Sequence, residues 1–103
     1  DGRWAASGAW DDTLKLWNPV KGELVRTLRG HTDDITALAF SAKGERLISA
    51  SDDRTVCVWN PGTGKLLQIF KGHTGPVISL AISPNGERAV SGSRGELKFW
   101  DLK

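Results

Sequence analysis

The residue types of nucleophilic catalysis recur along this chain. His31 and His73 lie 42 positions apart, and the stretch that follows His31 contains serines and aspartates. A serine, a histidine and an aspartate can together activate a hydroxyl group as a nucleophile. A catalytic site has no reason to recur at a fixed interval, however, whereas a structural role does. Since no acid, base or nucleophile stands out from the repeat, we expect a protein that is not an enzyme.

A metal site is the second chemistry that these residue types allow. The two histidines would need further nitrogen or sulfur ligands that converge on them. The remaining candidate is the single cysteine, Cys57, and it lies in a strand pattern typical of a core residue. We therefore expect no metal and no cofactor.

Composition and charge exclude two kinds of partner. The formal net charge is +2, but the basic residues are scattered and form no platform with aromatic residues, so we expect no nucleic-acid binding. The longest apolar runs, such as residues 77–82, fall far short of the roughly 20 residues of a membrane helix. One cysteine and no Asn-x-Ser/Thr sequence indicate a cytoplasmic protein.

The strongest signal in the sequence is an internal repeat. Trp17 and Trp59 lie 42 positions apart, Gly30-His31-Thr32 and Gly72-His73-Thr74 show the same spacing, and Trp59 and Trp100 lie 41 apart. The repeat divides the chain into a partial unit (1–29), a complete unit (30–71) and a partial unit (72–103). Because the chain contains no methionine, we expect it to be a segment of a longer protein, a processed piece or an engineered piece.

Apolar spacing and turn residues predict short strands and no helix. The predicted strands form sheets of three, four and three, at residues 4–7, 13–17, 24–28, 35–40, 47–50, 55–59, 66–70, 77–82, 89–91 and 96–100. Loops of three to six residues between them are typical of an antiparallel meander. Residues 35–40 are apolar on both faces, which predicts an innermost strand covered on both sides.

Units of this length, with four strands opened by Gly-His and closed by Trp-Asp, resemble the blades of WD-repeat β-propellers. Trp100-Asp101 matches the closing pair, and Trp17-Asn18 and Trp59-Asn60 differ from it by one residue type. The spacing of Ser7 to Trp17 resembles the regular repeats of bacterial WD-repeat proteins. The resemblance implies an all-β fold of four-stranded antiparallel blades that forms part of a propeller.

The resemblance also implies a buried hydrogen-bonded network in each unit, because a buried carboxylate, imidazole, hydroxyl and indole all need partners. In the middle unit its members would be His31, Ser49 or Ser51, Asp53 and Trp59. The first unit would contribute Ser7, Asp11 and Trp17, and the third His73, Ser91 and Trp100. Arg94-Gly95 replaces the turn that would supply the third aspartate. We therefore expect only the middle unit to be complete and the third to be looser.

By the same resemblance, one end of the propeller carries a rim suited to a protein or peptide partner. The candidate residues of this rim are Trp10, Asp34, Asp52, Pro76 and Arg94. Trp10 would be the hot spot, since an indole offers a large apolar area with a polar edge. Packing of Trp10 on a neighbouring blade is an equally weighted alternative.

Two functions fit this pattern. The first is a non-catalytic scaffold for protein-protein interaction. The second is a building block, natural or engineered, that oligomerises to complete a ring. Closed propellers have roughly four to eight blades, so the missing blades would come from a parent chain or from further copies.

Overall fold

The computed structural model describes residues 4–8, 11–41 and 44–102. The described residues form ten strands: β1 (Ala5–Gly8), β2 (Leu14–Asn18), β3 (Glu23–Leu28), β4 (Ile35–Phe40), β5 (Leu47–Ser51), β6 (Thr55–Asn60), β7 (Lys65–Lys71), β8 (Val77–Ile82), β9 (Arg88–Ser93) and β10 (Glu96–Asp101). Within these ranges no helix is long and apolar enough to cross a membrane.

The strands form three separate antiparallel sheets, and each sheet is a meander. Their strand orders are β1-β2-β3, β4-β5-β6-β7 and β8-β9-β10. The prediction of an all-β chain with sheets of three, four and three strands is confirmed. Because neighbouring strands alternate in direction, the β1-β2, β3-β4, β5-β6, β7-β8 and β9-β10 connections all lie at one end of the sheets, which we call the rim end.

The middle sheet has an apolar core on each of its faces. Successive side chains of a strand point to opposite faces, and β5 and β6 use this alternation to contact both neighbours. One core joins the first sheet to the second through Leu14, Leu16, Leu28, Leu47, Cys57 and Trp59. The other joins the second to the third through Ile48, Ala50, Val56, Val58, Val77, Ala89 and Leu102.

The prediction that residues 35–40 form a strand is confirmed, but the prediction that this strand is covered on both sides is wrong. Strand β4 is only partly buried, whereas all five residues of β5 and the central residues of β6 are buried. The reason is position, since β4 lies at one edge of its sheet. Apolar residues on both faces therefore did not distinguish a covered strand from an edge strand.

Close contacts at β4 bring the three sheets together. A side-chain carbon added at Gly8 of β1 would lie 2.7 Å from the Ile35 Cβ, so only glycine permits this approach of β1 to β4. On the other side of β4, the Thr36 hydroxyl donates a hydrogen bond to the Val77 carbonyl oxygen of β8. The middle sheet is thus held to both neighbours close to its edge strand.

Asparagine at the end of β2 and of β6 caps the turn that follows. The Asn18 Oδ1 accepts hydrogen bonds from the Val20 and Lys21 amides at 3.0 and 3.2 Å. The Asn60 Oδ1 accepts one from the Gly62 amide at 2.9 Å. An aspartate oxygen can accept the same bonds, which explains why asparagine can replace the aspartate of the closing Trp-Asp pair.

Candidate functional site

Four side chains of the middle unit form a continuous chain of hydrogen bonds. The indole Nε1 of Trp59 donates to the Ser49 Oγ at 2.8 Å. The Ser49 Oγ lies 2.6 Å from the His31 Nε2, and the His31 Nδ1 lies 2.8 Å from the Asp53 Oδ2. The His31 side chain is fully buried and that of Asp53 is 7% exposed.

The order of donors in this chain follows from the number of protons available. An indole N–H can only donate, so the Ser49 oxygen accepts from Trp59. Its single hydroxyl proton is then free for the His31 Nε2, which must accept it. The other imidazole nitrogen, Nδ1, carries the proton and donates to Asp53. The neutral Nδ1–H form of His31 therefore satisfies all four groups.

Ser51, the alternative serine of the sequence prediction, has a different set of contacts. Its Oγ donates to the Asp33 carbonyl oxygen at 3.1 Å and accepts from the Asp53 amide at 3.0 Å. Ser49 thus contacts His31, while Ser51 shapes the turn that carries Asp53.

The Asp53 carboxylate accepts hydrogen bonds from four donors. One oxygen accepts from the Thr55 amide and hydroxyl, at 2.9 and 2.6 Å. The other accepts from the His31 ring and from the Thr32 amide at 3.0 Å. Burial acts to raise the pKa of Asp53, but the bonds from Thr55, His31 and Thr32 outweigh it, and the pKa is lowered. The carboxylate is accordingly ionised at neutral pH, as a pure acceptor must be.

The third unit completes the same chain with a residue that the sequence prediction missed. The Trp100 Nε1 donates to the Ser91 Oγ at 2.6 Å, and the Ser91 Oγ lies 2.6 Å from the His73 Nε2. The Glu96 Oε1 lies 2.8 Å from the His73 Nδ1 and accepts from the Thr74 amide at 3.0 Å. These bonds lower the pKa of Glu96. The prediction that only the middle unit has a complete network is therefore wrong.

A one-residue deletion explains the change from aspartate to glutamate. The middle unit has three residues between β5 and β6, whereas Arg94-Gly95 alone separates β9 from β10. The carboxylate moves to the first residue of the strand, at the position of Thr55, and the longer glutamate side chain reaches the imidazole. A buried histidine needs an acidic partner. A search for such a residue one position either side of the aligned place would have identified Glu96.

The first unit forms the indole-hydroxyl part of the network. The Trp17 Nε1 donates to the Ser7 Oγ at 3.0 Å. Asp11 accepts from the Thr13 amide and hydroxyl, as Asp53 does from Thr55, and the hydroxyl bond lowers its pKa. Lys15 lies 3.8 Å from the second carboxylate oxygen of Asp11.

The geometry does not favour a reactive serine or cysteine. Ser49 is fully buried and its hydroxyl is paired with both an indole and an imidazole, so a substrate has no access to it in this structure. Burial raises the pKa of the Cys57 thiol to about 11, so the thiol is protonated at neutral pH. Both groups fit a structural role.

The candidate rim residues that the structure describes lie at the rim end. Asp34 and Pro76 lie on the connections between sheets, and Asp52 and Arg94 lie in the β5-β6 and β9-β10 turns. The Asp52 amide donates to the Asp34 carbonyl oxygen at 3.0 Å, which joins these two positions. Asp34, Pro76 and Arg94 are exposed and Asp52 is partly exposed. Trp10 lies outside the described residues, so its placement stays a prediction.

A cluster of carboxylates at the rim end was not predicted from the sequence. One carboxylate oxygen from each of Asp12, Asp33 and Asp34 lies within 4.8 Å of the other two. Desolvation raises the pKa of Asp12, and the negative charges of Asp33 and Asp34 raise it further. Asp12 has a positive φ of 67° and occupies the position that Arg54, with φ 74°, occupies in the next unit. The rim therefore changes charge from one junction to the next.

Comparison with known families identifies the repeat. The model of the family described as "WD domain, G-beta repeat" matches residues 1–18, 22–60 and 64–101. The chain belongs to this family. The resemblance to WD-repeat proteins inferred from the sequence is confirmed.

Three of the similar proteins are nuclear distribution proteins of fungi, and the chain aligns with a small part of each. It is 38% identical over 48 residues to the nuclear distribution protein PAC1 of Mycosarcoma maydis, covering 47% of this chain and 11% of that protein. It is 50% identical over 48 residues to PAC1 of Tuber melanosporum, covering 47% and 10%. It is 46% identical over 48 residues to the nuclear distribution protein nudF of Emericella nidulans, covering 47% and 11%. The matched part spans about a tenth of the length of these relatives.

The WD-repeat network also explains the glycine of the opening Gly-His pair. A side-chain carbon at Gly30 would lie 2.8 Å from the Cη2 of Trp59, and Trp59 is 1% exposed. The indole therefore packs directly on the backbone that precedes the histidine. The two ends of the repeat motif are in contact in the folded unit.

We expect the variant Asp53→Ala to lower the free energy of unfolding by about 1–3 kcal/mol, because it leaves the His31 and Thr32 donors without their acceptor. Urea unfolding followed by tryptophan fluorescence measures the change. The control is Asp52→Ala at the adjacent, partly exposed position, with an expected change of less than about 0.5 kcal/mol. Equal effects of the two variants would show that the network does not stabilise the unit.

Proposed function

We propose that this WD-repeat segment is a non-catalytic scaffold that binds a peptide or protein partner at its rim end. The observation that carries the proposal is that the polar groups fall into two sets, one paired inside the units and one exposed at the rim end. The imidazole, hydroxyl and carboxylate groups of the repeat motif are paired with one another inside the units. The exposed polar groups at the rim end are left to meet a partner.

The rim residues also vary where the fold does not require a particular residue. Asp34 of the middle unit corresponds to Pro76 of the third, and Asp52 corresponds to Arg94. Network residues, by contrast, keep their chemical type from unit to unit. Variation on an invariant frame is what a scaffold needs to recognise one partner rather than another.

Peptides selected for binding to the chain from a random phage-displayed library test this proposal. Because Trp10 is the aromatic anchor of the proposed rim, we expect Trp10→Ala to weaken the selected peptides by about tenfold or more. Arg94→Ala should also weaken binding. Isothermal titration calorimetry with synthetic peptides measures both effects.

The control for these variants is Val20→Ala. Val20 is 89% exposed and lies in the β2-β3 turn, at the end of the sheets opposite the rim. Selected peptides that bind the Trp10 and Arg94 variants as tightly as the unchanged protein would contradict a rim site.

Self-assembly is a second candidate function, and one observation favours it. Leu97 and Phe99 of β10 are 65% and 73% exposed. At the equivalent positions of the middle unit, Val56 and Val58 are fully buried beneath the third sheet. The far face of the third sheet therefore exposes apolar side chains where the repeat normally packs against a further blade.

Sedimentation velocity over a range of protein concentrations tests self-assembly. If copies of the chain cover this face, the protein forms oligomers, and Phe99→Asp dissociates them because a carboxylate would be buried in the contact. Val20→Asp, which adds the same charge in an exposed turn, should leave the oligomers intact. An unchanged protein that sediments as a monomer at every concentration would rule out this candidate.

A further inference from the structure

A pocket lies at the rim end between the middle unit and the start of the third. Its volume is about 420 Å³. Its walls come from the segment that contains Gly30 and Thr32, from residues 53–55 at the β5-β6 turn and the start of β6, and from the end of β7 and the Gly72-His73 segment that follows. Every lining residue falls between positions 30 and 73, so the complete middle unit and its junction with the third supply the entire pocket.

Two cationic side chains line this pocket and are brought together by strand pairing. Thr55 of β6 lies opposite Lys71 of β7 in the register of the sheet. Arg54 immediately precedes Thr55, so its side chain and that of Lys71 leave the same end of this strand pair. Among the described residues, neither side chain forms an ion pair.

The one carboxylate in the wall does not neutralise these cations by direct pairing. Asp53 uses its two oxygens to accept from His31, Thr32 and Thr55. The His73 ring is also occupied, with Glu96 on one nitrogen and Ser91 on the other. Arg54 and Lys71 are therefore the charged groups of the wall that remain open to a ligand.

The remaining walls suit a side chain carried on a peptide. Ile69 is 47% exposed and offers an apolar surface next to the two cations. Gly72 is exposed and has no side chain, which leaves its backbone accessible. An anionic group with an apolar neighbour would contact all of these features.

The equivalent junction between the first and middle units has the opposite charge. The position of Arg54 is occupied there by Asp12, and that of Lys71 by Arg29. Asp12 lies in the cluster of carboxylates with Asp33 and Asp34. At the second junction, Gly75 replaces Asp33 and Pro76 replaces Asp34. The cationic pocket is therefore a property of one junction and not of the WD-repeat fold.

We propose that this pocket binds the anionic side chain of a peptide partner, a carboxylate or a phosphoryl group. The planar guanidinium of Arg54 pairs with two oxygens of the anion, and the Lys71 ammonium contributes a second positive charge. Ile69 contacts the residue next to the anionic one. This inference rests on the proposed function in one respect, namely that the anionic group is carried by a peptide partner.

Titration by ¹H–¹⁵N NMR tests the pocket with defined probes. The probes are N-acetyl-phosphoserine methylamide, N-acetyl-glutamate methylamide and, as the uncharged comparison, N-acetyl-serine methylamide. We expect saturable shifts of the Thr32, Thr55 and Gly72 amides with one or both anionic probes, and weaker binding at higher salt. The probe that binds more tightly identifies the group as phosphoryl or carboxylate.

Three variants locate the binding. Arg54→Asn and Lys71→Gln should each raise the Kd by about tenfold, since each removes one charge-assisted contact. Asparagine tolerates the positive φ of position 54, so the turn is kept. Arg29→Gln is the matched control, because it removes the same charge at the position equivalent to Lys71, and its Kd should not change.

The inference is overturned if neither anionic probe gives saturable shifts at these amides, or if the uncharged probe binds equally well. It is also overturned if Arg54→Asn binds like the unchanged protein. These outcomes are independent of the peptide-selection experiment, because that experiment measures the effects of Trp10 and Arg94. Either site can fail while the other stands.

Discussion

The structure depends on the pairing of a buried imidazole. A histidine ring inside a small sheet must find a partner for each of its nitrogens, because an unpaired buried polar group costs roughly 1–3 kcal/mol. His31 and His73 meet this requirement with a hydroxyl on one side and a carboxylate on the other. The hydroxyl in turn ties in the indole from the neighbouring strand. The segment that carries the histidine is thereby fixed to two neighbouring strands about 20 residues further along the chain.

Much of the fold could be predicted from the sequence, because a period of about 42 residues shows which residues are equivalent. Strand positions and the grouping into three, four and three follow from that equivalence. Two features did not follow. The partner of His73 is Glu96 because a deletion in the turn is offset by a longer side chain, and position-by-position comparison cannot detect such an exchange. The partial exposure of β4 depends on its place at the sheet edge, which apolar content does not reveal.

The candidate sites were less predictable, since they bring together residues that lie far apart in the sequence. Asp12, Asp33 and Asp34 come together from two different units. Arg54 and Lys71 line one pocket because Thr55, the neighbour of Arg54, lies opposite Lys71 in the sheet. Neither grouping corresponds to a local sequence motif. The same frame therefore carries an acidic junction and a basic junction side by side. A partner that bears both charges would be held in one orientation on this rim.

The central claim is that an ordered chain of donors runs from indole to hydroxyl to imidazole to carboxylate in each of the two units that contain histidine. Long-range ¹H–¹⁵N NMR of the histidine rings at neutral pH tests it most directly. The account predicts that His31 and His73 each carry their proton on Nδ1, that Nε2 is an unprotonated acceptor, and that the ring N–H exchanges slowly with water. Rings protonated on Nε2, or rapidly exchanging mixtures of the two forms, would contradict it.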